Sequence, residues 1–308
     1  KNPSKIGINT SLNFGHADGL DHTHYERLLE KLPGSFKNKL VSAESLAVGW
    51  LEYRTEREIQ LYQKLIGITH EIIAEGFSAR VITPGITTTD DLVWWFRQRV
   101  TSLGLTTWFH PSVSVQRSDT INFEHLRSFS NRPENDVILP GDLLHVDFGI
   151  TYLRLNTDIQ QHAYVLRAVE MDAPAYLQKA FATSNRLQDI LTSQFKTGRT
   201  GNEILKATRE QAIKEGIKPS IYSHPLGLHG HAAGPTIGLW DQQEGVAGSG
   251  DYPIYPSTAY SIELNSATFI PEWGKEIRIM LEEDGCFNGK SFLFLAGRQE
   301  KLRLIKYF

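Results

Sequence analysis

The chain is 308 residues long, enough for one large domain or two ordinary ones around a packed apolar core. Its 32 Lys and Arg against 35 Asp and Glu leave a formal charge of -3, which offers neither nucleic acid nor a membrane surface an electrostatic partner and suits a small polar substrate. One cysteine, Cys286, excludes an internal disulfide and reads as a small buried hydrophobe; with no run of ~18 apolar residues and no signal-peptide layout, a cytoplasmic location is the expectation. The start at Lys1 rather than Met leaves a processed or exported form open.

Residues 5–8 form a short apolar run, a polar stretch follows to His24, and residues 25–32 read as a helix closed by Pro33 and Gly34. With a second short αβ piece at residues 39–50 this is too little for a core. Residues 1–54 are therefore expected to be the end of a smaller N-terminal domain, and 55–308 the main domain. From Thr55 an amphipathic period runs to about Ala74, and the run from Thr87 to Asp90 can cap a helix over 91–103. Residues 108–115 read as a strand and 117–135 as a polar loop; the turn at Pro140, Gly141 and Asp142 enters a strand over 143–150, with 158–166 as its partner. Two helices, 173–191 and 201–215, precede a region of strands and Gly/Pro-rich loops from Ile217 onward.

Asp147 and Asp158 stand eleven residues apart (158 minus 147), and in a hairpin they can face each other across paired strands, close enough to share a cation. Turn aspartates are the plain alternative, but Leu143, Leu144 and Val146 favour burial, and a buried strand carboxylate without a counter-charge is costly. His224, His229 and His231 fall within eight residues together with Gly227 and Gly230, where backbone can approach a site closely. The spacing is neither that of a zinc finger nor that of a helical His-Glu-x-x-His peptidase. Glu263 is held between Ile262 and Leu264, and Glu282 shares a strand face with Met280 and Arg278, whereas Glu283 and Asp284 read as a solvated strand end. Four carboxylates gathered without cations would raise one another's pKa, so the set Asp147, Asp158, His224, Glu263 and Glu282 points to divalent ions.

That ordered set resembles the pita-bread metallopeptidases, the family of methionine aminopeptidase, aminopeptidase P and prolidase. The stretch His224-x-Leu226-Gly227-Leu228-x-x-His231 is similar to the Xaa-Pro branch in particular. Over residues 55–308 the resemblance implies an α+β pita-bread fold, a curved antiparallel sheet with outer helices, and a homodimer. By it Asp147 binds one metal ion, Asp158 and Glu282 bridge two, His224 and Glu263 bind the other, and His231 contacts the substrate and the tetrahedral intermediate. The implied reaction on a small peptide is hydrolysis of an Xaa-Pro bond, in a dipeptide or at a peptide N-terminus, by a hydroxide bridging the two ions, with Glu263 also passing a proton to the leaving nitrogen. An oxygen-rich set favours Mn²⁺, with Co²⁺ or Zn²⁺ as alternatives.

The chain departs from the family on the substrate side. Phe129 and Ser130 stand where a histidine is usual, with His110 or His125 as candidate replacements; Ser220 replaces another histidine, Leu264 a proline, and Arg278 lies four rather than two residues before Glu282. His145, His162 and His229 have no counterpart and are expected to support the ligands or the fold. Three other outcomes stay open: phosphotriester cleavage at the same two ions, a creatinase-like hydrolase, and a pita-bread binding module without catalysis.

Overall fold

The computed structural model describes residues 2–119 and 136–307. His125, Phe129 and Ser130 lie outside them. The chain opens with β1 (Ile6–Ile8), α1 (His22–Lys31), α2 (Gly34–Lys37), β2 (Leu40–Ser42) and α3 (Glu44–Glu52), and β1 pairs with β2 in parallel. Phe14, Ala17 and Val48 from this segment form a small cluster with Ala233, with Tyr252 packed against it, so its apolar side chains are buried on later parts of the chain. Beside that contact, Glu52 is 3% exposed and its Oε2 has no hydrogen-bond partner among the described residues.

Burial pushes the Glu52 carboxyl up to about 8. The folded protein therefore holds a proton there that the unfolded chain releases above about 4.5, and stability drains away as pH rises between those values. Glu52→Gln keeps the shape and removes the titration. The variant is expected to gain roughly 3–4 kcal/mol over the parent between pH 5 and pH 8 in urea melts, and parallel pH profiles would refute this.

Four longer helices pack outside the sheets. The first, α4 (Glu56–Gly76), starts at a capping box in which Thr55 and Glu58 satisfy each other's backbone, and α5 (Thr89–Ser102) starts at the same device from Thr88 and Asp91. Their apolar faces, including Leu65, Ile66, Ile73, Leu92 and Phe96, bury against Val113, Leu144, Val146 and Phe148. These last lie on β3 (Ser112–Gln116) and β4 (Leu143–Phe148). Strand β3 begins four residues later than the sequence pattern indicates, because Pro111 has no N–H for the ladder. After β5 (Thr151–Tyr152) and β6 (Leu155–Asn156), a tight hairpin, comes β7 (Ile159–Val165).

The other pair is α6 (Ala175–Ser193) and α7 (Gly201–Lys214). Pro174 bars the helical conformation at Ala173, so α6 starts after both, and Thr200 with Glu203 makes the capping box of α7. They cover strands β8 (Lys218–Ile221), β9 (His224–Leu226), β10 (Thr258–Ser261), β11 (Leu264–Ile270), β12 (Lys275–Leu281) and β13 (Asp284–Phe287), with Leu187, Leu191, Ile204 and Leu205 packed on Ile221, Tyr260, Ile262 and Leu264. The chain closes with β14 (Phe292–Phe294) and β15 (Arg303–Ile305). Hydrogen bonding sorts the strands into three principal sheets, ordered β15-β7-β4-β3, β12-β11-β8 and β14-β13-β10-β9. Only the β15–β7 pairing among these is parallel.

Two corners join the sheets. Strands β10 and β11 are one extended run broken at Ile262 and Glu263, and β12 and β13 are another broken at Glu282 and Glu283. Leu264 pairs with Leu281 before the break and Ser261 with Asp284 after it. A backbone bridge between Gln160 and Glu282 then ties β7 to the second corner. Strands that switch sheets in this way bend the surface and turn side chains at the break inward.

Candidate metal centre

Asp147 lies near the end of β4 and Asp158 just before β7, while His224 opens β9 and Glu263 and Glu282 occupy the two corners. The hairpin expectation needs one correction. Across the β4–β7 ladder Asp147 is paired with Gln160 and not with Asp158, because β5 and β6 insert their own small hairpin before the ladder starts. Asp158 approaches from the adjoining turn, which the close passage of Gly149 against the Thr157 carbonyl makes possible; a Cβ at 149 would sit 2.0 Å from that oxygen. A second correction concerns Glu283 and Asp284. Both are 1% exposed, since the corner folds them under the sheet. Glu283 meets His70 at 2.6 Å and Asp284 accepts the Asp158 backbone N–H at 3.1 Å.

Three overlapping sets offer ligand atoms within 4.8 Å of one another: Asp147, Asp158 and Glu282; His224, Glu263 and Glu282; and Asp158, His224 and His231. Glu282 is common to the first two. His224 Nδ1 donates to the Pro225 carbonyl at 3.1 Å, so Nε2 is the nitrogen turned toward the carboxylates. Among the described residues that buried Nε2 has no hydrogen-bond partner, yet oxygens of Glu282, Asp158 and Glu263 stand 3.5, 3.7 and 3.8 Å away. Asp147 Oδ1 is likewise buried without a partner among them. An imidazole nitrogen facing a fan of carboxylate oxygens, with no hydrogen bond to any of them, is a donor set of the composition a divalent cation binds.

The electrostatics agree with that. Burial pushes the Asp147 carboxyl well up, with Glu282 adding to it; burial followed by Glu282, Asp147 and Glu263 does the same to Asp158, and burial followed by Glu282 and Asp147 to Glu263. Asp284 is raised too, by burial first. Without positive charge the cluster holds protons it would give up to an ion.

The family model of metallopeptidase family M24 matches residues 60–283. The chain belongs to that family. It is an M24 metallopeptidase with the α+β pita-bread fold, and divalent metal ions are part of its chemistry. Among solved structures it is similar to an X-Pro aminopeptidase from Thermotoga maritima MSB8, at 17% identity and a TM-score of 0.68 over 94% of this chain and 74% of that one. It also resembles an Xaa-Pro dipeptidase from Bacillus anthracis, at 19% identity and a TM-score of 0.67 over 98% and 74%, and a prolidase from Pyrococcus furiosus, at 18% and 0.63 over 97% and 77%. No curated protein matches the sequence.

Around the M24 centre stand two residues that the sequence pattern did not single out, Gln160 and Ser261, and two that it did, His145 and His162. Gln160 donates from Nε2 to Glu263 at 2.6 Å and to Glu282 at 2.8 Å, and Ser261 donates to the other oxygen of Glu282 at 2.6 Å. His145 meets Gln160 Oε1 at 2.9 Å. His162 is a fold residue: it spans the Leu144 carbonyl and the Met280 N–H, each at 3.0 Å. No periodicity marks Gln160 or Ser261, and their polar side chains on apolar strands were the available signal.

His231 is exposed at the mouth, with its ring 4.5 Å from that of His224, and its pKa is held low by the surrounding protein, then by His224 and His16. Trp108 and Tyr222 flank it at 5.4 and 5.6 Å, and Trp240 extends the wall beyond Tyr222. Gly230 is required there, since a Cβ would fall 2.3 Å from the Trp108 ring. His229 stacks on His16 of the N-terminal segment at 4.0 Å. His110 packs on Trp94 and lies 2.9 Å from an Arg97 nitrogen, both on α5, while Ser220 and Arg278 flank Asn265 on β11, the first as its strand partner and the second as a donor at 2.8 Å.

Proposed function

We propose that this metallopeptidase is dinuclear and hydrolyses Xaa-Pro bonds, in dipeptides or at peptide N-termini. The observation that carries the reading is the His224 Nε2 facing three carboxylates, with the Asp147 oxygen in the overlapping set, neither having a hydrogen-bond partner among the described residues. In this reading Asp147 would hold one ion, His224 and Glu263 would hold the other, and Asp158 and Glu282 would serve both. Two bound divalent ions, Mn²⁺ foremost, supply an activated water and a polarised scissile carbonyl. Glu263 takes the proton from the attacking water and returns it to the leaving nitrogen. His231, neutral and at the mouth, donates its ring N–H to the oxygen that gains charge at the scissile carbon. An Xaa-Pro amide lacks an N–H, so recognition falls to the ring, and Trp108, Tyr222 and Trp240 provide an apolar wall for it.

Residues 1–54 are read as a smaller unit preceding the catalytic domain, and the working unit as a homodimer, which sedimentation would test. No helix among the described residues is long and apolar enough to cross a membrane. The deciding experiment is release of the Xaa amino acid from Xaa-Pro dipeptides and from longer Xaa-Pro peptides with Mn²⁺, alongside an organophosphate and an EDTA control. Metal-dependent release of Xaa is expected. Turnover of the organophosphate alone, or none at all with metal bound, would overturn the substrate assignment. His231→Ala is expected to lower kcat on Xaa-Pro about 10²-fold with metal content unchanged, and an unaltered kcat would remove His231 from the reaction.

A further inference from the structure

We infer that Gln160, oriented by His145, is the positioning residue of the centre, fixing Glu263 and Glu282 for both ions at once. The inference rests on the metal-binding reading above. Gln160 is 3% exposed and His145 5% exposed, so both side chains are removed from bulk solvent. The backbone of Gln160 exchanges hydrogen bonds with Glu282, N–H to carbonyl at 3.0 and 3.2 Å, and across the other ladder it is paired with Asp147. Its side chain then reaches Glu263, so one residue touches or pairs with three members of the cluster from three different strand ends.

The direction of each bond follows from the donors available. The amide NH₂ of Gln160 donates to Glu263 and Glu282, using one hydrogen on each. Its Oε1 is left to accept from His145 Nε2, and the hydroxyl of Ser114 stands 3.4 Å from His145 Nδ1. Ser114, His145 and Gln160 thus make a chain that holds the amide against flipping. At Glu282 the Ser261 hydroxyl takes Oε1 and Gln160 takes Oε2, one donor per oxygen. Each oxygen keeps a lone pair for an ion, the arrangement a carboxylate shared by two ions requires.

Gln160→Met fills the same space with no donor and His145→Leu leaves the amide free to rotate. Each would be stripped of metal and titrated with Co²⁺ by calorimetry, and the visible absorption of the cobalt forms recorded. Gln160→Met is expected to weaken Co²⁺ binding by about 10–100-fold and to change the absorption band. His145→Leu should act in the same direction and less strongly, and excess Co²⁺ should restore turnover in both, which it would not if the residues only held the fold. Parent-like affinity and absorption in both variants would overturn the inference, and if Gln160→Met fails to fold by circular dichroism, His145→Leu alone decides. A parent chain that takes up no Co²⁺ would overturn the metal reading and this inference together; a parent that binds, with variants that bind alike, removes only this one.

Discussion

Glu282→Ala is expected to reduce bound metal from about two ions per chain to at most one and to take kcat below ~10⁻³ of the parent, because the ions contribute several kcal/mol to the transition state and each 1.36 kcal/mol is tenfold. Glu282 belongs to both the Asp147 set and the Glu263 set, so its loss strikes each. The residue is 1% exposed and carries two donors, from Ser261 and Gln160, that would be left buried and unpaired. Asp147→Ala, on the outer side of one set, is expected to lose one ion and keep the other. Elemental analysis of the purified variants reads this directly. Two ions retained in Glu282→Ala would show that the bridging assignment is wrong.

Metal removal is expected to make stability strongly pH-dependent. In the metal-free protein Asp147, Asp158, Glu263 and Asp284 have pKa values raised above their ordinary 3.8 or 4.5. A raised carboxylate pKa means that the folded state binds more protons than the unfolded one, so metal-free stability is fullest below about 4 and falls as pH rises toward the raised values. Ion binding takes up the ionised forms and releases those protons, so the stabilisation by metal grows with pH. At a free Mn²⁺ concentration about 100 times Kd the gain is roughly 2.7 kcal/mol, or about 4 °C in Tm for a chain of this size. Scanning calorimetry with EDTA and with Mn²⁺ at pH 5.5 and 8 tests this. An increment that is equal at the two pH values would contradict the clustering of these carboxylates.

Much of the helical frame was legible in the sequence. Thr55, Thr88 and Thr200 announce their helices because a capping box is a local device, complete within four residues. The strand pair carrying Asp147 was legible for the same reason, from alternation and a turn. Its register was not: Asp147 stands opposite Gln160, since the residues between the aspartates spend part of their length on a second small hairpin with Leu153 and Arg154 at positive φ, where asparagine or glycine is the usual signal. Glu283 and Asp284 were misread as solvated because a run of three acids resembles a strand end. Their burial comes from the corner between β12 and β13, which exists only when β7 and β10 pack beside it.

The sequence by itself determined the chemical inventory: an ordered set of four carboxylates and a histidine on apolar strands, too costly to bury without cations, together with a stretch around His224 like that of proline peptidases. Tertiary structure decided what holds that inventory in place. Gln160, Ser261 and His145 reach the centre from sequence positions 15 to 122 residues away from the groups they bond, and Trp108, Tyr222 and Trp240 meet around His231 from separate segments. The physical reason is one of range. The cost of a buried charge is a property of the residue and its neighbours in sequence, whereas the donor that offsets it is chosen by which strand ends the fold brings to one corner.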